Sequence, residues 1–418
     1  MTAVSRRNWA GNITWHAERF AAPESVAELQ ALVAGAERVK AVGSGHSFSD
    51  IADTAGLLVS TAALPRDVER LGPHRVRVAA GVRYGELALE LDRYGLASAN
   101  LASLPHISVA GTVATGTHGS GVGNRSLATH VAALDLVTST GELVTLRRGE
   151  DDFAGAVVGL GALGVVTAVE LDVVPAFEVA VSVHEWLPFD VLLEHYEAVL
   201  AAAYSVSVFL DWSRPLRGQV WLKHRVDDGA PGVVDEPWFA AAEAGPRNPV
   251  PGISAENAVQ QGGVPGPSFQ RLPHFRLEMV PSNGEELQSE YFVAAADGPA
   301  ALAALAPLAD LIHPVLQVCE LRRIAADDLW LSPSGGRDSA AFHFTWVPDL
   351  AAVLPVLERI EAALAPFDAR PHWGKVFPMT ADRLVEVYPR VPEFLSLAGR
   401  LDPRGAFANA WTGRHLGR

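Results

Sequence analysis

The chain of 418 residues is 49% hydrophobic and 19% charged, with a net charge of −15, which describes a folded protein long enough for two domains. Its acidic balance, with no basic cluster, argues against nucleic acid and anionic membranes as partners. The lone Cys319 excludes an internal disulfide framework, and without a cysteine pair or an HExxH motif no metal centre is expected. A nucleophile elbow of G-x-S-x-G form is absent as well. The first residues, Met1 to Trp9, lack the apolar core of a signal peptide, and Arg6-Arg7 is not followed by an apolar stretch. No window offers the roughly 18 uninterrupted apolar residues that a spanning helix needs. A cytoplasmic protein with no membrane partner is the expectation.

Ser25 ahead of Val26, Leu29, Leu32 and Val33 predicts a helix, and Val39 to Val42 reads as the strand after it. The strand runs into Gly43-Ser44-Gly45-His46-Ser47-Phe48. Two glycines one residue apart allow a tight turn whose N–H groups form a nest for phosphate oxygens, helped by Ser44 and Ser47. The dinucleotide fingerprint G-x-G-x-x-G is not met, because Phe48 stands at the third glycine and no clear helix follows. Taken alone, His46 reads as an ordinary loop histidine. Strands are predicted at Leu57 to Ser60 and Arg75 to Ala79, with a helix from Glu86 to Tyr94 closed by Gly95. This β-α alternation indicates an α/β domain.

A second run of small residues spans Leu104 to Gly121 and contains Ser108, Gly111 and Thr115-Gly116-Thr117-His118-Gly119. Backbone of this kind packs closely, either as a tight crossing between domains or as a second wall against a flat ligand. A hairpin follows, Ala133 to Thr138 with Glu142 to Leu146, turned at Thr140-Gly141. A third small-residue stretch, Gly159 to Val166, leads into a strand from Val166 to Val173.

Beyond Pro175 aromatic residues become frequent, among them Trp186, Trp212, Trp221 and Trp238. A helix is predicted from Val191 to Ala203. Asp227 to Gln270 reads as an irregular excursion on the surface or near a site entrance. Helices at Pro299 to Leu311 and Leu350 to Leu364 alternate with strands, which predicts an α+β domain. Three strand candidates place polar residues together: Glu320 and Arg322 on one face of Val315 to Ile324, His343 and Thr345 on one face of Ala341 to Val347, and His372 with Lys375 beside Gly374 in Pro371 to Phe377. A solvated sheet face gives the same alternation. A polar small-molecule site in an apolar cavity gives it too, and suits these side chains in strands that otherwise read as buried.

Asn8-Trp9-Ala10-Gly11-Asn12, Gly43-Ser44-Gly45-His46-Ser47-Phe48, Thr115-Gly116-Thr117-His118-Gly119 and Pro371-His372-Trp373-Gly374-Lys375 resemble the motifs of bacterial alditol oxidases. These belong to the aldonolactone-oxidase branch of the vanillyl-alcohol-oxidase-type FAD-binding superfamily, and the resemblance spans essentially the whole chain. It implies a two-domain α+β fold. A PCMH-type FAD-binding domain would occupy residues 1–174 and an α+β substrate-binding cap 175–395, with 396–418 returning to the FAD-binding domain.

The resemblance further implies FAD attached covalently to His46. Val42, Gly43, Ser44, Gly45, Ser47, Phe48, Ser103, Ser108, Gly111, Thr115, Gly116, Thr117, His118, Val166 and His372 would lie around the cofactor. Ser103, Glu320, Arg322, Thr345 and Lys375 match polyol-contacting positions, and Lys375, Arg322 and His343 are the candidate catalytic groups. The implied reaction moves a hydride from the terminal carbinol of an alditol such as xylitol or sorbitol to flavin N5, giving the aldose. Oxygen is then reduced to hydrogen peroxide. The implied partners are thus the polyol and O2, acting on a monomer. Three alternatives stand beside this reading: a sugar-lactone oxidase or dehydrogenase of the same superfamily, a nicotinamide-linked dehydrogenase, and a flavin-free carbohydrate-binding protein.

Overall fold

Ser25 Oγ accepts the Glu28 N–H at 3.2 Å and so starts the helix Val26–Gly35, which buries Leu29 and Val33. The structure, a computed structural model, describes residues 6–228, 244–279 and 285–418. Met1 to Ser5, Trp238 and the centre of the predicted excursion lie outside the described residues. The helix leads to a small parallel sheet in which Leu57–Ser60 lies between Arg19–Ala21 and Val39–Val42. Beside it stands an antiparallel sheet of five strands in the order Val68–Gly72, Arg75–Ala79, Val165–Asp172, Val131–Val137 and Leu143–Arg147. Gly141 turns the predicted hairpin at φ +83°. The helix Tyr84–Arg93 begins two residues before the predicted Glu86, because the Glu86 carboxylate reaches back to the Arg83 N–H at 2.9 Å.

The second half is built on an eight-stranded sheet. Its order is Gly266–Pro267, Glu178–Pro188, Arg217–Arg225, Ser205–Leu210, Leu316–Ile324, Ser339–Trp346, Leu287–Ala294 and Arg370–Pro371. Neighbouring strands are antiparallel throughout. Alternation sorts its two faces. Tyr291, Cys319, Leu321, Phe342 and Phe344 share one core with Ala301, Leu302 and Leu305 of the helix Gly298–Leu305 and with Val353, Val356 and Leu357 of the helix Leu350–Leu364. The opposite face carries Glu290, Glu320, Arg322, His343 and Thr345.

Three elements depart from the sequence reading. The helix predicted at Val191 to Ala203 is two pieces, Phe189–Glu194 and Tyr196–Leu200, parted at His195 (φ −110°, ψ 22°) and each seated by its own buried residues. The helix predicted at Pro299 to Leu311 is also broken, because Pro307 has no N–H to continue the ladder. Gly298–Leu305 is followed by a tight turn, Ala306–Leu308, and then by Ala309–Ile312. Taken together the run Ala295–Val315 is 21 residues long and apolar enough to cross a bilayer by length and composition. It is not an uninterrupted apolar stretch, because Asp297, Asp310 and His313 intervene, and it packs Ala301, Leu302, Leu305, Ala309 and Ile312 into the core. Finally, Pro371 to Phe377 is not a strand. Only Arg370–Pro371 joins the sheet, after which the Lys375 N–H bonds the His372 carbonyl at 3.0 Å and the chain turns.

The last residues close on the first unit. Val39 N–H donates to the Ala406 carbonyl at 2.8 Å, and the Asn409 side chain donates to the Ile51 and Asp53 carbonyls at 3.1 and 2.8 Å. Ala406 and Phe407 share a core with Leu29, Val33, Leu57 and Val59.

Candidate active site

The loop after Val42 is clamped from three sides. Ser44 N–H donates to Ser108 Oγ at 3.3 Å and Ser108 N–H to Ser44 Oγ at 3.0 Å. Trp9 N–H bonds the Gly45 carbonyl at 2.8 Å, and Phe48 N–H bonds the Gly374 carbonyl at 2.7 Å. Two glycines are required here for different reasons. Gly45 sits at φ +70°, whereas a Cβ at Gly43 would fall 2.2 Å from Ser108 Oγ.

His46 lies at the end of this cradle with its ring stacked on Trp9, centroids 5.0 Å apart. Apart from a weak approach to the Ser44 backbone, neither ring nitrogen has a hydrogen-bond partner among the described residues. Burial, reinforced by His106 and Arg83, pushes its pKa down to about 4. The imidazole is therefore neutral near pH 7, with a lone pair uncommitted.

Across the cavity, sheet register sets four side chains in a row: Phe209 opposite Glu320, Glu320 opposite His343, and His343 opposite Glu290. Glu290 is the hub. Its Oε1 takes Arg322 Nη2 at 2.5 Å and lies 3.2 Å from His118 Nε2. Its Oε2 takes Lys375 Nζ at 2.7 Å. Burial opposes the carboxylate charge, but Arg322, Lys375 and His118 outweigh it and hold Glu290 well below the ordinary range. Glu320 is held low in the same way by Arg322 and His274; His274 Nε2 is 2.9 Å from its Oε1.

Lys375 Nζ also lies 2.5 Å from His343 Nδ1, and His343 Nε2 lies 3.1 Å from Thr345 Oγ1. Burial pushes Lys375 down to about 8 against the pull of Glu290. Burial and the Lys375 charge bring His343 to about 4. His372 is likewise held well below its usual value by burial, and its Nδ1 accepts the Gly374 N–H at 3.1 Å.

One cavity of about 270 Å³ joins cradle and sheet. It is lined by Val42, Gly43, Ser44, Gly45, His46, Ser47, Phe48, Ser103, Ser108, Gly111, Thr115, Thr117, His118 and Val166 on the cradle side, and by Glu320, Arg322, His343, Thr345, His372 and Lys375 on the other. Gly116 does not line it. At φ +68°, with a Cβ position 3.1 Å from Pro333 Cδ, it serves the turn behind the wall. Sequence reasoning missed Glu290, Gln288 and His274, all of which line the cavity. Alternation of Gln288 and Glu290 along the strand Leu287–Ala294 was a signal for the first two. His274 sits in irregular chain and left none.

The cradle fits FAD: a glycine approach that a methyl group would fill, serine-lined N–H donors, and a buried imidazole with no partner of its own. Residues 17–147 match the FAD binding domain family, and residues 283–415 match the D-arabinono-1,4-lactone oxidase family. Fold and site together define an FAD-dependent oxidoreductase with a two-domain PCMH-type architecture. An alditol oxidase of Streptomyces is 51% identical over 414 residues, 98% of either chain. An L-gulono-1,4-lactone dehydrogenase of Mycobacterium tuberculosis is 30% identical over 439 residues, again 98% of either chain. The cholesterol oxidase of Brevibacterium sterolicum shares the fold, with a TM-score of 0.77 at 14% identity over 98% of this chain and 96% of that one. The chain belongs to the alditol oxidase family, within the aldonolactone-oxidase branch.

Proposed function

We propose that the protein oxidises the terminal carbinol of alditols such as xylitol and sorbitol to the aldose, with O2 reduced to hydrogen peroxide. The observation that carries this reading is the Lys375–His343–Glu290 cluster, placed where the sheet meets the cofactor loop. FAD, when bound, accepts the hydride from the carbinol carbon and passes the two electrons to oxygen. The protein's own task is the hydroxyl proton and the negative charge it leaves. Lys375 and His343 share one proton between Nζ and Nδ1, and the pair takes up the carbinol proton once that shared proton is lost. Arg322, fixed by Glu290, supplies a cation against the developing alkoxide. Ser103, Glu320 and Thr345 supply donors and acceptors for the remaining hydroxyls of the chain.

His46 is proposed as the covalent attachment point of FAD, a reading supported by its neutral, unpartnered imidazole in the cradle. Residues 1–174, 175–395 and 396–418 are proposed as FAD-binding domain, cap and return segment, supported by the separate sheets and by the contacts of Ala406, Phe407 and Asn409 with the first. A monomeric, cytoplasmic enzyme that binds no membrane and no nucleic acid accords with the net charge of −15 and the single cysteine.

Peroxide formation from xylitol or sorbitol, compared with an aldonolactone, tests the reaction. Activity on the lactone alone would replace this reading with the lactone oxidase one. Mass spectrometry of the tryptic peptide holding His46 tests the attachment.

A further inference from the structure

The pocket has two poles. Lys375 and Glu290 form one, against the cofactor loop, since Gly374 accepts the Phe48 N–H. Glu320 and His274 form the other, with His343 between them in register. Glu320 faces the substrate hydroxyls, but His274 and the residue behind it have no part in the reaction described above.

His274 ties three parts of the chain together. Its backbone N–H donates to the Ser103 carbonyl at 3.1 Å, and its Nε2 meets Glu320 Oε1 at 2.9 Å. Its ring stands edge-on to Phe209 and Trp221, at centroid distances of 5.3 and 5.6 Å. Behind it lies Lys223, 1% exposed. Lys223 Nζ donates to the Leu272 carbonyl and lies 3.1 Å from His274 Nδ1. Glu320, held as a carboxylate, can only accept, so the imidazole proton sits on Nε2, aimed at Glu320, and Nδ1 is left to accept from Lys223, which burial brings down to about 7. The ring stays neutral in this role, as burial and the Lys223 charge push it down to about 4. One oxygen of Glu320 is thus occupied. The other, 3.7 Å from Arg322 Nε, is left for a ligand.

We propose that His274 is a specificity-determining residue, held by Lys223 as a positioning residue, that fixes the pole receiving the hydroxyls remote from the reacting carbon and so sets the length of polyol the enzyme prefers. The proposal rests on the alditol-oxidising function given above. A long polyol reaches the Glu320 pole and gains from its fixed geometry, whereas a short one ends before it.

The test uses FAD-loaded His274→Leu, His274→Gln and Lys223→Met, assayed for peroxide with xylitol and with the shorter glycerol. One lost charge-assisted hydrogen bond corresponds to roughly a tenfold change. His274→Leu and Lys223→Met should therefore raise KM for xylitol by about tenfold with little change in kcat, while KM for glycerol moves less than about twofold. His274→Gln, which keeps a side-chain N–H, should recover much of the loss. Calorimetric binding of xylitol to the chemically reduced enzyme should weaken by the same factor. An equal fall on both polyols, or an unchanged ratio between them, overturns the proposal. If His274→Leu does not fold, the Lys223→Met and His274→Gln arms decide it. Should the wild type oxidise lactones and no polyol, the functional reading fails separately, and the same ratio is read between a long and a short lactone.

Discussion

Lys375 Nζ and His343 Nδ1 lie 2.5 Å apart, inside a pocket where the lysine also meets the Glu290 carboxylate at 2.7 Å. Both nitrogens cannot be protonated in that contact without burying two facing cations. The pair carries one proton at neutral pH, and the ammonium is its resting form.

Lys375 is brought down to about 8, so the pair gains its vacant lone pair as pH rises through that value. kcat/KM for xylitol is therefore expected to climb with pH and level off above about 8, as a group that must be deprotonated requires. Lys375→Met should lower kcat/KM by roughly 10²–10⁴-fold and abolish the rise. Lys375→Arg keeps a cation that does not deprotonate, so it should not rescue. Steady-state pH profiles of the three proteins check this, and a full recovery in the arginine variant would assign Lys375 a purely electrostatic role.

Glu290 raises the Lys375 pKa by its negative charge. Glu290→Gln removes that charge, so the midpoint of the pH profile is expected to move toward acid. The same change leaves Arg322 and Lys375 buried without their counter-ion and should cost about 3–5 kcal/mol of stability. Denaturant unfolding and the pH profile of the FAD-loaded variant measure the two effects independently.

His46 stacks on Trp9, but neither ring nitrogen carries a hydrogen bond that ties the cradle to other elements among the described residues. His46→Ala should yield a folded protein whose flavin is released by acid precipitation, whereas wild-type flavin stays in the pellet. Flavin absorbance of the two supernatants decides the matter.

A methyl group at Gly43 would meet Ser108 Oγ at 2.2 Å, and Ser108 is itself pinned by its paired bonds with Ser44. Gly43→Ala is expected to spread the cradle and lower FAD content well below one per chain. The ratio of flavin to protein absorbance after purification is the measure, and full loading would show that the cradle yields at no cost.

Much of the site was legible in local sequence. A glycine turn after a strand, the run Thr115 to Gly119, and the pairs Glu320/Arg322 and His343/Thr345 are patterns of backbone geometry, which repeats every two residues along a strand and needs no knowledge of neighbours. Pro371 to Phe377 reads as a third strand beside the other two, but His372 and Lys375 stand three residues apart, off the two-residue period, and only Arg370–Pro371 finds a partner strand.

By itself, then, the sequence determined which side chains share a face and which loops suit a phosphate-bearing cofactor. The tertiary structure alone decided their charge states and partners. Glu290 stands 32 residues from Arg322 and 85 from Lys375, and His274 stands 46 from Glu320. Such ion pairs acquire their strength from burial and from sheet register between distant strands, and neither quantity exists until the chain has folded.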